Sequence, residues 1–185
     1  MYFSLSDETF DTTPTDFSEL YENCTFNSCD FTGEDLSNIN FVDCNFNRCN
    51  FSTVKIDGVA LNSCTFKESK LVGINFSSFA QETLNFSLIS CRVDSAIFEN
   101  LNLKRVKFTD SEVIRSEFFH VDLEGADFSN CNLKESRFIS CNLDKSDFRA
   151  AQYLNIDVRN SSIRGARFSI TNAVELLIPL GVVLE

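Results

Sequence analysis

Eight cysteines, one histidine and a misplaced carboxylate are the side chains of this 185-residue sequence whose types and spacing could support chemistry. Cys24, Cys29, Cys44, Cys49 and Cys64 fall at intervals of five and fifteen residues, and Cys91, Cys131 and Cys141 follow. Thiolates in such numbers can hold zinc or an iron–sulfur cluster, or close disulfides. The spacing argues against all three. Metal-binding thiolates come typically as C-x-x-C pairs, and no C-x-x-C occurs here. His120 is the sole histidine, so a mixed zinc site has no second imidazole. Thr32-Gly33 and Glu124-Gly125 are isolated glycines without the spacing of a phosphate loop. The expectation is a protein with no metal, no cofactor and no catalytic residue.

What positions the cysteines is a five-residue period. From Tyr21 every fifth residue reads Tyr21, Phe26, Phe31, Leu36, Phe41, Phe46, Phe51, Ile56, Leu61, Phe66, Leu71 and Phe76. A second series runs from Leu88 to Phe168 through Phe98, Phe108, Phe118, Phe128, Phe138, Phe148 and Tyr153. Every member is apolar or aromatic, a pattern neither an α-helix nor a flat strand produces. Twenty Phe against three Tyr and no Trp fit one structural slot filled repeatedly. Two residues before each centre lies a slot of smaller residues. It holds all eight cysteines, Cys44, Cys49, Cys131 and Cys141 among them, with Val54, Val59, Ala96, Ser111, Ala126 and Ser136. The remaining positions are mostly polar, so each repeat turns two side chains inward and three outward, and the cysteines belong to an inner wall. Glu34 falls in the inward slot and requires either a hydrogen-bonding partner or a solvent-open coil. His120, two after Phe118, points to solvent.

The CDF, ADF, CNL and SDF triplets resemble the pentapeptide-repeat family. The resemblance implies an all-β fold, a right-handed quadrilateral β-helix of about seven coils in which residues twenty apart stack, roughly 35 Å long at a strand spacing of ~4.8 Å. Residues 1–20 are then an N-terminal cap, 21–168 the solenoid and 169–185 a C-terminal helix and strand. Phe76 and Leu88 are twelve apart where ten would keep phase, so two extra residues lie within 77–87. Phe79, Gln81 and Glu82 in this stretch are candidate partner contacts, unless the insertion is merely accommodated. Phe119 and Ile139, outward and twenty apart, are a second candidate patch.

After Phe168 the period becomes helical, with Ala173, Leu176, Leu177 and Leu180 on one face. Asn172 is the expected N-cap with Glu175 completing a capping box, and Pro179 and Gly181 end the helix. Val182, Val183 and Leu184 read as a terminal strand. These apolar residues, Ala173, Leu176, Leu177, Leu180, Val182 and Val183, are the expected interface of an end-to-end homodimer. The tail also resembles those of the Qnr- and MfpA-type proteins, which implies such a dimer.

Formal charge is −11, which argues against direct binding to nucleic acid or anionic membrane. The first twenty residues carry Asp7, Glu8, Asp11, Asp16 and Glu19 and no base, whereas acids and bases balance between Leu88 and Phe168. No stretch is apolar enough to span a bilayer and no export signal precedes the repeats, so a cytoplasmic protein is expected. The Qnr and MfpA resemblance implies a non-enzymatic mimic of duplex DNA that binds DNA gyrase and topoisomerase IV and protects them from quinolones or topoisomerase-poisoning toxins. The residues alone leave open an adaptor with another protein partner. A carbohydrate-active β-helix enzyme would need irregular coils and a carboxylate cluster that the repeat does not contain.

Overall fold

In the computed structural model, which describes residues 4–183, the chain is a β-solenoid of about seven turns followed by a short helix. Its strands are two to four residues long because a pentapeptide has room for little more than one inward centre and its two outward neighbours. The next residue makes the corner in the left-handed region, as at Asn23 (φ 52°), Asp43 (φ 53°) and His120 (φ 53°). Short polar side chains tolerate that conformation best, which accounts for the Asn, Asp and Ser that recur there. At Gly58 (φ 71°) a Cβ would also lie 2.7 Å from Oδ1 of Asn38 on the preceding coil.

All ladders are parallel. Leu20–Glu22, Asn40–Val42 and Ala60–Asn62 pair at an offset of twenty residues, and so do Ile97–Glu99, Glu117–Phe119 and Arg137–Ile139. The offset stacks like on like. Phe26, Phe46 and Phe66 lie 4.9 and 4.7 Å apart, and Phe108, Phe128 and Phe148 4.8 and 5.0 Å apart, within 16° of parallel. Ring spacing thus equals the ~4.8 Å strand spacing. Neighbouring columns meet edge to face, as in Phe118 with Phe128 at 88°. Such pairs add about 0.5–1.5 kcal/mol each beyond their burial.

The small slot is filled for hydrogen bonding as well as size. The thiols of Cys44, Cys64 and Cys91 donate to the carbonyls of Tyr21, Phe41 and Phe66 one coil earlier, each at 3.4 Å. The hydroxyls of Ser136 and Ser146 do the same to Val113 and Leu123 at 2.8 Å. In return the N–H groups of Cys49 and Cys91 donate to the hydroxyls of Ser69 and Ser111 at 2.9 and 3.0 Å. Every buried side-chain nitrogen and oxygen among the described residues has a partner. All eight cysteines are free and buried.

Four features depart from the plain repeat. Phe86–Ile89 pairs with Cys64–Lys67 at an offset of 22, because two extra residues are taken up around the 3₁₀ turns Phe76–Ser78 and Gln81–Thr83. Tyr153 does not point inward: it is 58% exposed, and Leu154 and Ile156 fill the core instead, Ile156 bridging Phe138 at an offset of 18. Glu34 is exposed, so its side chain escapes the inward slot into solvent. At the N-terminus Ser4–Ser6 and Thr9–Phe10 pair with Leu20–Glu22 and Thr25–Asn27 at an offset of only sixteen, so the segment expected as a cap is a shortened coil.

The C-terminal helix spans Ile170–Leu177, and its N-cap is Ser169, not Asn172: the Ser169 hydroxyl accepts from the Asn172 N–H at 3.2 Å. Asn172 is buried and donates to the carbonyl of Ala151 at 2.9 Å, which ties the helix to the last coil. A 3₁₀ turn over Ile178–Leu180 ends at Gly181 (φ 76°). Val182 and Val183 form no strand. Leu184, the last residue of that expected strand, lies outside the described residues.

Candidate protein-binding surfaces

Among the described residues no group of His, Cys, Asp and Glu side chains is arranged to hold a metal ion. A space of about 20 Å³ in the core is lined by apolar side chains such as Phe41, Phe46, Val59, Leu61, Phe66 and Ile74. Phe26, Phe31, Phe41, Phe46, Phe108, Phe128, Phe148, Cys44, Cys49, Cys131 and Cys141, the expected core columns, are all buried. Burial pushes the thiols of Cys49 and Cys131 up to about 12 and that of Cys91 to about 11. Chemistry of recognition must therefore lie on the outside.

Two electrostatic halves divide that outside. From Arg92 onward charges are cross-linked between coils: Lys104 reaches Asp122 at 3.2 Å and Glu124 at 3.5 Å, Arg137 reaches Glu117 at 2.7 Å, and Lys145 reaches Glu124 at 2.5 Å. Asp94 is the buried member of this set, 3% exposed and gripped by Arg92, Arg115 and Ser95. Burial pushes its carboxyl up, but the hydrogen bonds from Arg92 and Ser95 and the charge of Arg115 outweigh it and leave the value below the usual range. Before Arg92, among the described residues, Lys55 with Asp35 at 3.4 Å is the one ion pair. Asp7, Glu8, Asp11, Glu22, Glu34 and Glu68 are exposed there with no cation on them.

The residues expected at contacts fall in three patches. Phe119 (39% exposed) stands in register with half-buried Ile139, with His120 against its ring at 4.1 Å and the equally outward Ile97 on the same face. In the insertion Gln81 and Glu82 are exposed, but Phe79 is buried and stacks on Phe76 at 5.3 Å, so it cannot serve as a contact. On the terminal helix Leu176 turns into the core instead of outward, while Ala173 and Leu180 are exposed and Leu177 half-buried. The outward stripe is Ile170 (87% exposed), Val174 and Ile178, which sequence reasoning passed over although their spacing of four was visible. Val182 and Val183 add to it.

The repeat geometry agrees with a family comparison: the pentapeptide repeats family matches residues 22–58 and 116–152, in eight copies. No curated protein matches the chain. Among solved structures, full-length QnrB1, a plasmid-mediated fluoroquinolone resistance protein, aligns at 21% identity over 97% of this chain and 100% of that one, with a TM-score of 0.40. The pentapeptide repeat protein Rfr23 from the cyanobacterium Cyanothece 51142 aligns at 15% identity over 76% and 88%, with a TM-score of 0.38. No helix among the described residues is long and apolar enough to cross a membrane.

Proposed function

We propose that this pentapeptide-repeat protein is a non-enzymatic, DNA-mimic-like rod that binds a type II topoisomerase, gyrase or topoisomerase IV, and shields it from quinolones or poisoning toxins. The observation that carries the reading is the distribution of neutralised charge. In the C-terminal half Glu117, Asp122 and Glu124 are paired with Lys or Arg of a neighbouring coil, whereas among the described residues of the N-terminal half only Asp35 has such a partner and Asp7, Glu8, Asp11, Glu22 and Glu68 stand exposed without one. Such a surface is complementary to a basic groove that ordinarily holds a duplex. A core packed with Phe and Leu columns, whose buried hydroxyls and thiols are spent on backbone groups, supports a binding role over catalysis. The stripe of Ile170, Val174 and Ile178, with Val182 and Val183, suits a two-fold dimer through the C-termini. Two rods joined there would place the acidic halves at the tips of a body roughly 70 to 80 Å long at ~4.8 Å per coil.

The test is direct binding of purified gyrase across a salt series, with duplex DNA as competitor. Binding that DNA displaces and salt weakens supports the reading; an affinity indifferent to both contradicts it. The outward pair Phe119 and Ile139, in the charge-balanced half, favours a second reading, an adaptor for another protein partner. A complex that forms with gyrase unaffected by Phe119→Ser but lost on neutralising Glu22 and Asp43 would separate the two.

A further inference from the structure

The first complete coil, residues 20–40, has four strand edges facing the N-terminal end, and three are covered. Leu20–Glu22 is paired by Ser4–Ser6, and Thr25–Asn27 by Thr9–Phe10. At Asp30 a side chain stands in for a strand: the Thr13 hydroxyl accepts from the Asp30 N–H at 2.8 Å and donates to its carbonyl at 2.9 Å. The fourth edge, Asp35–Ser37, has no cover among the described residues. One coil later the equivalent groups are all used: the Lys55 N–H donates to Glu34 at 2.9 Å, and the carbonyls of Lys55 and Asp57 accept from Leu36 and Asn38 at 2.9 Å. The N–H of Asp35 and the carbonyls of Asp35 and Ser37 have no such partner among the described residues.

The cause is the offset of sixteen. Between Thr13, above Asp30, and Leu20, above Asn40, the chain has seven steps to cover ten, so it cuts across the end of the solenoid and plugs it with Phe17, which tilts against Phe31 at 6.3 Å. The short cut leaves a groove of about 590 Å³ between Phe17, Leu20 and the edge at Asp35, Ser37 and Ile39. Its lining is acidic, with exposed Glu19 and Asp35, and the exposed carboxylates Asp16 and Glu34 adjoin lining residues in the chain; Lys55 is paired with Asp35.

We propose that this bare edge is a β-augmentation site that takes an extended, lysine- or arginine-bearing segment of a partner protein as an added strand. Its backbone would pair with Asp35 and Ser37, an alternate apolar side chain would meet Phe17 and Leu20, and its cations would meet Asp16, Glu19 and Glu34. An acidic strand is repelled by the same carboxylates. The site does not depend on the topoisomerase reading, because its test uses no enzyme.

The probe is an octapeptide of alternating lysine and valine, titrated into the full-length ¹⁵N-labelled protein. Amide shifts and slowed hydrogen exchange at Asp35 and Ser37 are expected, with shifts at Phe17. The same peptide N-methylated at alternate residues keeps its charge but cannot complete the ladder, and should bind at least tenfold more weakly; the glutamate–valine analogue should not bind. Asp35→Pro removes an N–H with no partner among the described residues and should reduce binding at least tenfold, whereas Asp35→Asn, which keeps it, should reduce binding less. No binding, shifts away from this edge, or equal affinity for the N-methylated peptide would overturn the proposal, and the peptide comparison decides the matter even if Asp35→Pro misfolds.

Discussion

Phe98 and Phe118, twenty residues apart, lie ring on ring with centroids 4.4 Å apart and planes 1° from parallel. Phe138 continues the stack at 4.5 Å, so Phe118 is held on both faces and is fully buried. Phe118→Ala should cost about 3–5 kcal/mol, because no neighbour can collapse into a column fixed by the coil spacing. Phe118→Leu should cost much less, since leucine already serves at Leu123 and Leu133. Urea unfolding of the two variants measures the difference.

The predicted columns were legible because one period dictates direction. The failures have local causes. Tyr153 and Val158 continue the count, yet Leu154 and Ile156 offer an equally apolar phase two residues shorter, and a count alone cannot choose between them. Asn172 reads as an N-cap, but Ser169 offers the same chemistry one turn earlier and leaves Asn172 to reach Ala151. The shortened first coil leaves its trace in Leu5 and Phe10, which are five apart and partly buried against the core.

Asp94 should make stability pH-dependent. Its folded value lies below the ordinary carboxylate range, so its contribution is present at neutral pH and is lost as pH falls through that depressed value. Asp94→Asn should destabilise the protein by on the order of 1–2 kcal/mol at pH 7 and by much less in strong acid. Melting temperatures of the two proteins across an acid series should therefore converge.

Buried thiols with raised values should be inert. In the native protein at pH 8 a disulfide reagent should label the cysteines only slowly, and all eight should react once the chain is unfolded. Rapid native labelling of Cys49, Cys91 or Cys131 would show that the coils open.

The terminal helix separates packing from association. Val174→Asp and Ile178→Asp should leave the melting temperature nearly unchanged and yield monomers by light scattering, because both side chains face solvent. Leu176→Asp should instead destabilise the last coil. A dimer that survives Val174→Asp combined with Ile178→Asp would place the interface elsewhere.

Removing Gln81 and Glu82 should restore the twenty-residue offset while Phe79 and Leu84 stay inside. Circular dichroism should be unchanged and partner binding reduced; undiminished binding would make the insertion a purely structural accommodation.

The central claim is tested most directly by gyrase supercoiling with the purified protein, with and without ciprofloxacin. Rescue of supercoiling from the drug at low protein and inhibition at high protein are the expected results, both weakened by reversing the charges of Glu22 and Asp43. Supercoiling by gyrase and relaxation by topoisomerase IV that are indifferent to the protein at every concentration would contradict the account.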